Sequence, residues 1–354
     1  MTEMLSALDE EVALEDLHAR GCTDGLPVVI PTAERVRRMV LASGQDGDMG
    51  LGTMGPGHGM ATIEKVAVAA VMAGCLTDYM PVVLAAVKAV IDPVFDLTEM
   101  QATTHCTAPL IIVNGPARHS CGPIASGYGA LGPGHRANAS IGRALRLTMI
   151  NIGQARPGSS DMALMGHPGK FTYCFAEDEE NSPFPPLHVD LGFAAEDSVV
   201  TVIGAEAPHS VMYVGDADDP EHYKALLELL TIGVANAATN NAAITGGMAT
   251  IVLNPEHADI LHAAGLTRQD IAQEICQRSG TGPAENTRLL PAIAAHNPEK
   301  RYAFNDPEKL LILMAGGSGL YSMVMPSWGA GPHSNSASSV KVEADFFCEI
   351  PWTN

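Results

Sequence analysis

Four short stretches carry the residue types that do chemistry. Residues 103–107 read Thr-Thr-His-Cys-Thr, placing Thr104, His105 and Cys106 together. A cysteine among polar groups is a nucleophile once a base or cation lowers its pKa. His105 is a poor partner for its own neighbour, because adjacent side chains in an extended segment point opposite ways. Residues 206–210, Glu-Ala-Pro-His-Ser, supply a carboxylate and an imidazole, and His209 is the better base candidate. His105, Glu206 and His209 also make a two-histidine, one-carboxylate set, so a divalent metal is an alternative use of them. Residues 315–322, Ala-Gly-Gly-Ser-Gly-Leu-Tyr-Ser, form a glycine loop around Ser318. The backbone N–H groups of Gly316, Gly317 and Gly319 can face developing negative charge there. Residues 240–247 add Asn241 as a substrate contact.

Cations are scarce, so each one is informative. Arg136 and Asn138 open a helical stretch after the turn Gly127-Tyr-Gly-Ala-Leu-Gly-Pro-Gly. A helix N-terminus with an arginine fork holds a carboxylate or phosphate. Arg143 and Arg146 lie on the same stretch and read equally well as partners of surface carboxylates. Lys170 is a further anion contact. The run Glu177-Asp-Glu-Glu reads as a solvated face or as a source of a general acid or base, Glu177 or Glu179. Neither glycine loop ends in Gly-Lys-Ser/Thr, and neither completes a dinucleotide fingerprint after a strand.

The elements that must position these loops repeat. Pro109-Leu-Ile-Ile-Val-Asn-Gly-Pro is echoed by Ala249-Thr-Ile-Val-Leu-Asn-Pro, each after an apolar helix and a small-residue loop. Val200-Thr-Val-Ile-Gly-Ala-Glu is echoed by Leu311-Ile-Leu-Met-Ala-Gly-Gly. Short apolar runs alternating with helices predict an α/β fold: two similar α/β halves related by internal duplication, with sheets layered by helices. The halves are placed at residues 60–215 and 220–330. Residues 1–59 form an N-terminal helix, strand and Gly-rich loop. Residues 151–197 are an insertion with a strand at 171–176, and 331–354 are an extended tail that packs on a neighbour. Thr32 is an N-cap, and helices are expected over 62–73 and 78–91.

Composition narrows the partners. The chain has 354 residues with 20 Lys+Arg against 40 Asp+Glu, a net charge of −20. Nucleic acid and anionic membranes are poor partners for that balance. Seven cysteines form no C-x-x-C pair, against a zinc ribbon or a disulfide scaffold. No apolar run reaches the roughly 20 residues of a membrane span. The acidic N-terminus does not read as a signal peptide. A cytoplasmic homo-oligomer is expected.

Several phrases, among them Thr62-Ile-Glu-Lys-Val-Ala-Val-Ala-Ala-Val-Met-Ala-Gly-Cys, Gln101-Ala-Thr-Thr-His, Ile112-Val-Asn-Gly-Pro, Arg136-Ala-Asn-Ala-Ser-Ile-Gly-Arg and Gly169-Lys-Phe-Thr-Tyr-Cys-Phe-Ala-Glu, resemble an uncharacterised bacterial family associated with UGSC-motif selenoproteins. The resemblance spans about residues 24–260. It implies thiol or selenol chemistry shared with a small redox partner protein. This chain has no UGSC motif, so such a centre would lie on the partner. The family carries Pro-Cys after Thr-Thr-His, whereas Cys106-Thr107 stands here, which removes a fixed family role from Cys106. From the residues themselves, the expected function is an enzyme acting on a small anionic metabolite by hydrolysis or elimination in a cleft between the halves. Partner-dependent redox chemistry and non-catalytic binding or assembly are the alternatives.

Overall fold

The computed structural model describes residues 4–343 apart from 217, 245, 297, 298 and 300. The end of the expected tail, with Cys348, lies outside the described residues. In chain order the strands are β1 (Gly50–Met54), β2 (Gly59–Thr62), β3 (Ala108–Asn114), β4 (Cys174–Ala176), β5 (Val199–Ala205), β6 (His209–Met212), β7 (Ala249–Leu253), β8 (Gly280–Thr281), β9 (Arg301–Tyr302), β10 (Leu310–Met314), β11 (Tyr321–Pro326) and β12 (Ser338–Lys341). β1 pairs with β2, and β8 with β9, as small antiparallel ladders.

Two four-stranded sheets form the centre. The first runs β12-β5-β3-β4 and the second β10-β7-β11-β6. In the first, β3 is parallel to β4 and antiparallel to β5, and β12 is antiparallel to β5. In the second, β7 is parallel to β10 and antiparallel to β11, and β6 is antiparallel to β11. The sheets do not respect the expected boundary at 215–220. β6 follows β5 in the chain yet edges the second sheet. β12, expected in a tail packed on a neighbour, edges the first sheet of its own chain.

Alternation along the strands builds the layers. On β3, Leu110 and Ile112 enter a central core with Leu311, Leu313 and Met325 of the second sheet. Ile111 and Val113 point the other way, into a core with the helices Ile63–Ala73, Met80–Ile91 and Arg136–Asn151. On the far side, Ile251 and Leu253 of β7 pack against the helices Tyr223–Ala235, Pro255–Ala263 and Arg268–Arg278. The molecule is therefore mixed α/β, helices outside and two sheets face to face within. The strands β3, β5, β7 and β10 are buried on both faces, which is why they read as largely apolar runs.

Local signals act as expected at Thr32 and Thr62, whose side chains cap the helices Ala33–Ala42 and Ile63–Ala73. Others differ. Part of the glycine-rich stretch before residue 60 is hairpin, because β1 and β2 pair across it. The strand expected over 171–176 shortens to β4, since Pro168–Lys170 is a 3-10 turn and Phe171 is exposed. Gly142 explains how the helix Arg136–Asn151 approaches this segment. A Cβ there would lie 2.4 Å from Thr172 Oγ1 and 2.6 Å from the Tyr173 nitrogen. Among the described residues no helix is long and apolar enough to cross a membrane.

Candidate functional site

The site forms where β3 begins and β5 ends. Ala108 pairs with Ala205, so the residues flanking them meet. Ala205 also bridges to Ser327, and Glu206 N–H donates to the Pro326 carbonyl at 2.8 Å, so the spot is the seam between the sheets. His105 Nε2 lies 2.9 Å from Glu206 Oε1, with side chains 22% and 30% exposed. Thr103 Oγ1 accepts the His105 N–H at 3.2 Å and fixes the loop. His105 Nδ1 is buried and has no hydrogen-bond partner among the described residues. With Nε2–H donating to the carboxylate, Nδ1 carries a free lone pair.

Residues 162–166 fasten onto this loop from outside. Met162 N–H donates to the Gln101 carbonyl and Leu164 N–H to the Thr104 carbonyl, each at 3.0 Å. Gly166 N–H donates to Cys106 Sγ at 3.2 Å. Leu164 and Met165, which precede Gly166, stay 83% and 91% exposed. His167 is held at both nitrogens: Nε2–H donates to the Ala205 carbonyl at 3.2 Å, and Nδ1 accepts from Gly169 N–H at 3.1 Å. Burial holds its pKa below the ordinary histidine range. It is a neutral brace rather than a proton carrier. Tyr173 packs edge-on to it and donates its hydroxyl to the Glu206 carbonyl at 2.9 Å. Burial, with the Glu206 charge, pushes the Tyr173 hydroxyl far up, so it stays a donor.

Lys170 closes the cluster. Its ammonium grips both oxygens of Asp161, at 2.8 and 2.9 Å, and Arg146 reaches the same carboxylate at 3.1 Å. Burial opposes the charge on Asp161, but Lys170 and Arg146 outweigh it and hold the carboxyl below its usual range. A folded pKa below the unfolded value of about 3.9 means stability present above that pH and lost as pH falls through the folded value. Wild-type protein should therefore lose urea resistance between pH 6 and pH 3. Asp161→Asn should be weaker at pH 6 and change less between the two. Urea midpoints at both pH values check this; an unchanged slope with pH in the variant contradicts it.

The other expected residues lie elsewhere. His209 is exposed on β6, because the chain turns after Glu206 into the second sheet. His105, Glu206 and His209 do not gather as a metal set: among the described residues no group of three or more His, Cys, Asp or Glu is arranged to hold an ion. Asn138 is 3% exposed and spends its amide on the backbone of Ala125 and Ala130, clasping the glycine turn. Arg136 donates to the Gly74 carbonyl, the C-cap of a neighbouring helix. Arg143 forks onto Asp24 at 2.7 and 2.8 Å. Asn241 is buried and donates to the Met248 carbonyl at 2.6 Å.

The glycine loop is already occupied by the protein itself. Gly316 N–H donates to the Ser126 carbonyl and Gly319 N–H to the Glu256 carboxylate, both at 2.7 Å. Gly317 lies under Tyr128, where a Cβ would meet the ring at 2.0 Å, and the Tyr128 hydroxyl donates to the Ser318 carbonyl. An oxyanion role for 316–319 thus loses two of its donors. Of the acidic run only Glu180 is an exposed residue. Glu177 is fully buried and bonded to Asn114, the Leu187 N–H and Arg268, while Glu179 and Glu180 pair with Arg118. These carboxylates sit at the opposite end of β3 from His105.

Sequence reasoning missed His167, Tyr173 and Asp161. Gly166-His-Pro-Gly marked a turn, but nothing local to Asp161 signals its pairing with Lys170. Comparison with known proteins finds no matching family, no similar curated protein and no similar solved structure.

Proposed function

We propose that the chain is an enzyme acting on a small anionic metabolite by hydrolysis or elimination, with His105 and Glu206 as its proton-transfer pair. The observation that carries this is the 2.9 Å His105–Glu206 contact with His105 Nδ1 buried and unpartnered. The side chains of the pair are 22% and 30% exposed, and the proton passes at that open edge, shared between the His105 ring and the Glu206 carboxylate that orients it. The proton comes from water in hydrolysis, or from carbon in elimination. Lys170, which also holds Asp161, is the proposed cation for an anionic substrate, and Cys106 is the nucleophile if the path is covalent. A panel of small anionic metabolites followed by mass spectrometry tests the reading, with His105→Ala as the control. Turnover that survives His105→Ala in a folded protein would overturn it.

The second reading is partner-dependent thiol or selenol chemistry, as the family resemblance suggests. What favours it is Cys106 Sγ on the Gly166 backbone donor, next in the chain to the exposed Leu164 and Met165. Burial pushes other thiols up: Cys75 to about 12, Cys121 and Cys276 to about 11. Cys106 should therefore be alkylated by iodoacetamide at pH 7 ahead of those three, as read by peptide mass mapping. Slower labelling of Cys106 than of Cys121 removes this reading.

The finer architecture belongs to the same proposal. We infer a duplication in which β3, β4, β5 and β12 correspond to β7, β10, β11 and β6. The shared parallel–antiparallel–antiparallel order of the two sheets supports it, as do Asn114 and Asn254 at the ends of matched strands. A cytoplasmic homo-oligomer is also proposed. Met212, Tyr321 and Met323 are 57%, 55% and 37% exposed, and the paired strands β6 and β11 bring them together. Light scattering should find a dimer or larger in the wild type and a smaller species for Met212→Glu. A monomeric wild type would end that proposal.

A further inference from the structure

The two members of the pair flank different strands, and one residue is bonded to both strands. His105 stands three residues before β3 begins, and Glu206 directly follows β5. Tyr173, directly before β4, accepts the Ile111 N–H of β3 at its own carbonyl, at 2.9 Å. Its hydroxyl reaches the end of β5 and donates to the Glu206 carbonyl, also at 2.9 Å. Among the described residues that carbonyl is the hydroxyl's one hydrogen-bond partner. The residue is 4% exposed and packs in the central core with Leu110 and Ile203. The Glu206 N–H goes to the Pro326 carbonyl, so the backbone groups on both sides of the Glu206 Cα are held. His167 Nε2–H holds the preceding carbonyl, that of Ala205, and its ring stands edge-on to Tyr173.

Packing alone would be served by phenylalanine at this position; the hydroxyl adds the Glu206 contact and nothing else. Fixing the backbone on either side of a Cα fixes the direction in which its side chain leaves. The Glu206 side chain is 30% exposed and has water to turn toward, so its aim at His105 has to come from that backbone. We infer that Tyr173 is a positioning residue: its hydroxyl holds the Glu206 backbone so that the carboxylate stays within hydrogen-bond reach of the His105 ring. This rests on the reading of His105 and Glu206 as a working pair. It adds to that pair a residue whose hydroxyl is bonded to neither the ring nor the carboxylate.

The test reads the hydrogen bond itself and needs no substrate. In the full chain with isotope-labelled histidine, NMR follows exchange of the His105 Nε2 proton with water at one pH and temperature. His105→Ala identifies the signal. Tyr173→Phe keeps the ring and removes the hydroxyl, and should speed this exchange about five-fold, the weight of one ordinary hydrogen bond. Glu206→Gln should also speed it, because an amide accepts more weakly than a carboxylate. Ile112→Val, a core change on β3 that leaves the Glu206 carbonyl bonded, should lower the urea midpoint and leave the exchange as in wild type. Exchange unchanged in Tyr173→Phe but faster in Glu206→Gln overturns the positioning role and leaves the pair standing. Exchange unchanged in both overturns the pair as well. Equal acceleration in Tyr173→Phe and Ile112→Val means a loosened core rather than a lost hold on Glu206, and overturns the inference too.

Discussion

His105→Ala should lower kcat/KM by roughly 100- to 10,000-fold while circular dichroism stays unchanged, the range expected for loss of a general base. The side chain is partly exposed and its only hydrogen-bond partner among the described residues is Glu206, so the fold does not depend on it. Glu206→Gln should cost less, roughly 10- to 100-fold, because the ring loses its orienting charge but keeps a hydrogen-bonding neighbour. The double variant should be little worse than His105→Ala alone, since the two act as one unit. Additive losses would mean that Glu206 acts on the substrate independently of His105. That result would replace the pair with two separate roles.

Arg268→Ala should destabilise the protein by about 3–5 kcal/mol, the cost of leaving a buried carboxylate unpaired. Glu177 is fully buried, and without Arg268 it keeps only Asn114 and the Leu187 N–H. Arg268 also stacks 5.7 Å from the Phe184 ring, so packing is lost with the charge. Burial already pushes the Glu177 carboxyl up, and Arg268 is the main charge opposing that. A carboxyl whose folded pKa is raised takes up a proton on folding. Its penalty is thus relieved as pH falls through the folded value, down to the unfolded value of about 4.3. Arg268→Ala should therefore regain stability relative to wild type between neutral pH and about pH 4.5. Adding Glu177→Gln at neutral pH should restore part of the loss. Urea midpoints read both effects, and a loss under about 1 kcal/mol would show that solvent reaches Glu177.

The helices at 63–73 and 80–91 were legible because capping residues and apolar runs are local signals. β3 and β7 were legible as strands for a similar reason: each is a short, largely apolar run leading to an asparagine, Asn114 or Asn254. The second echo misled. It pairs β5 with β10, yet β5 lies beside β3 in the inner part of its sheet while β10 is an edge. Strands buried on both faces lose the alternation that would reveal their neighbours. His105 and Glu206 were legible as members of one candidate set, but their direct contact was not, since nothing in the sequence says that β3 and β5 lie side by side. His209 was not separable from them, since nothing in Glu-Ala-Pro-His says that the chain changes sheets between Glu206 and His209. Arg136, Asn138 and Arg143 show another limit. A helix opening with cations and amides looks the same whether its donors face a ligand or the carbonyls of Gly74, Ala125 and Pro27.

The edge strands impose an order on biosynthesis. Val202 of β5 pairs with Ser338 of β12. The first sheet therefore waits for its edge strand until every strand of the second sheet has been made. The second sheet holds its own edge strand, β6, from a segment made before any of its other members. Nascent chains halted before residue 338 should carry β5 with a bare flank, open to pairing with another chain. The first sheet, begun first, is thus sealed by a strand made after every strand of the second.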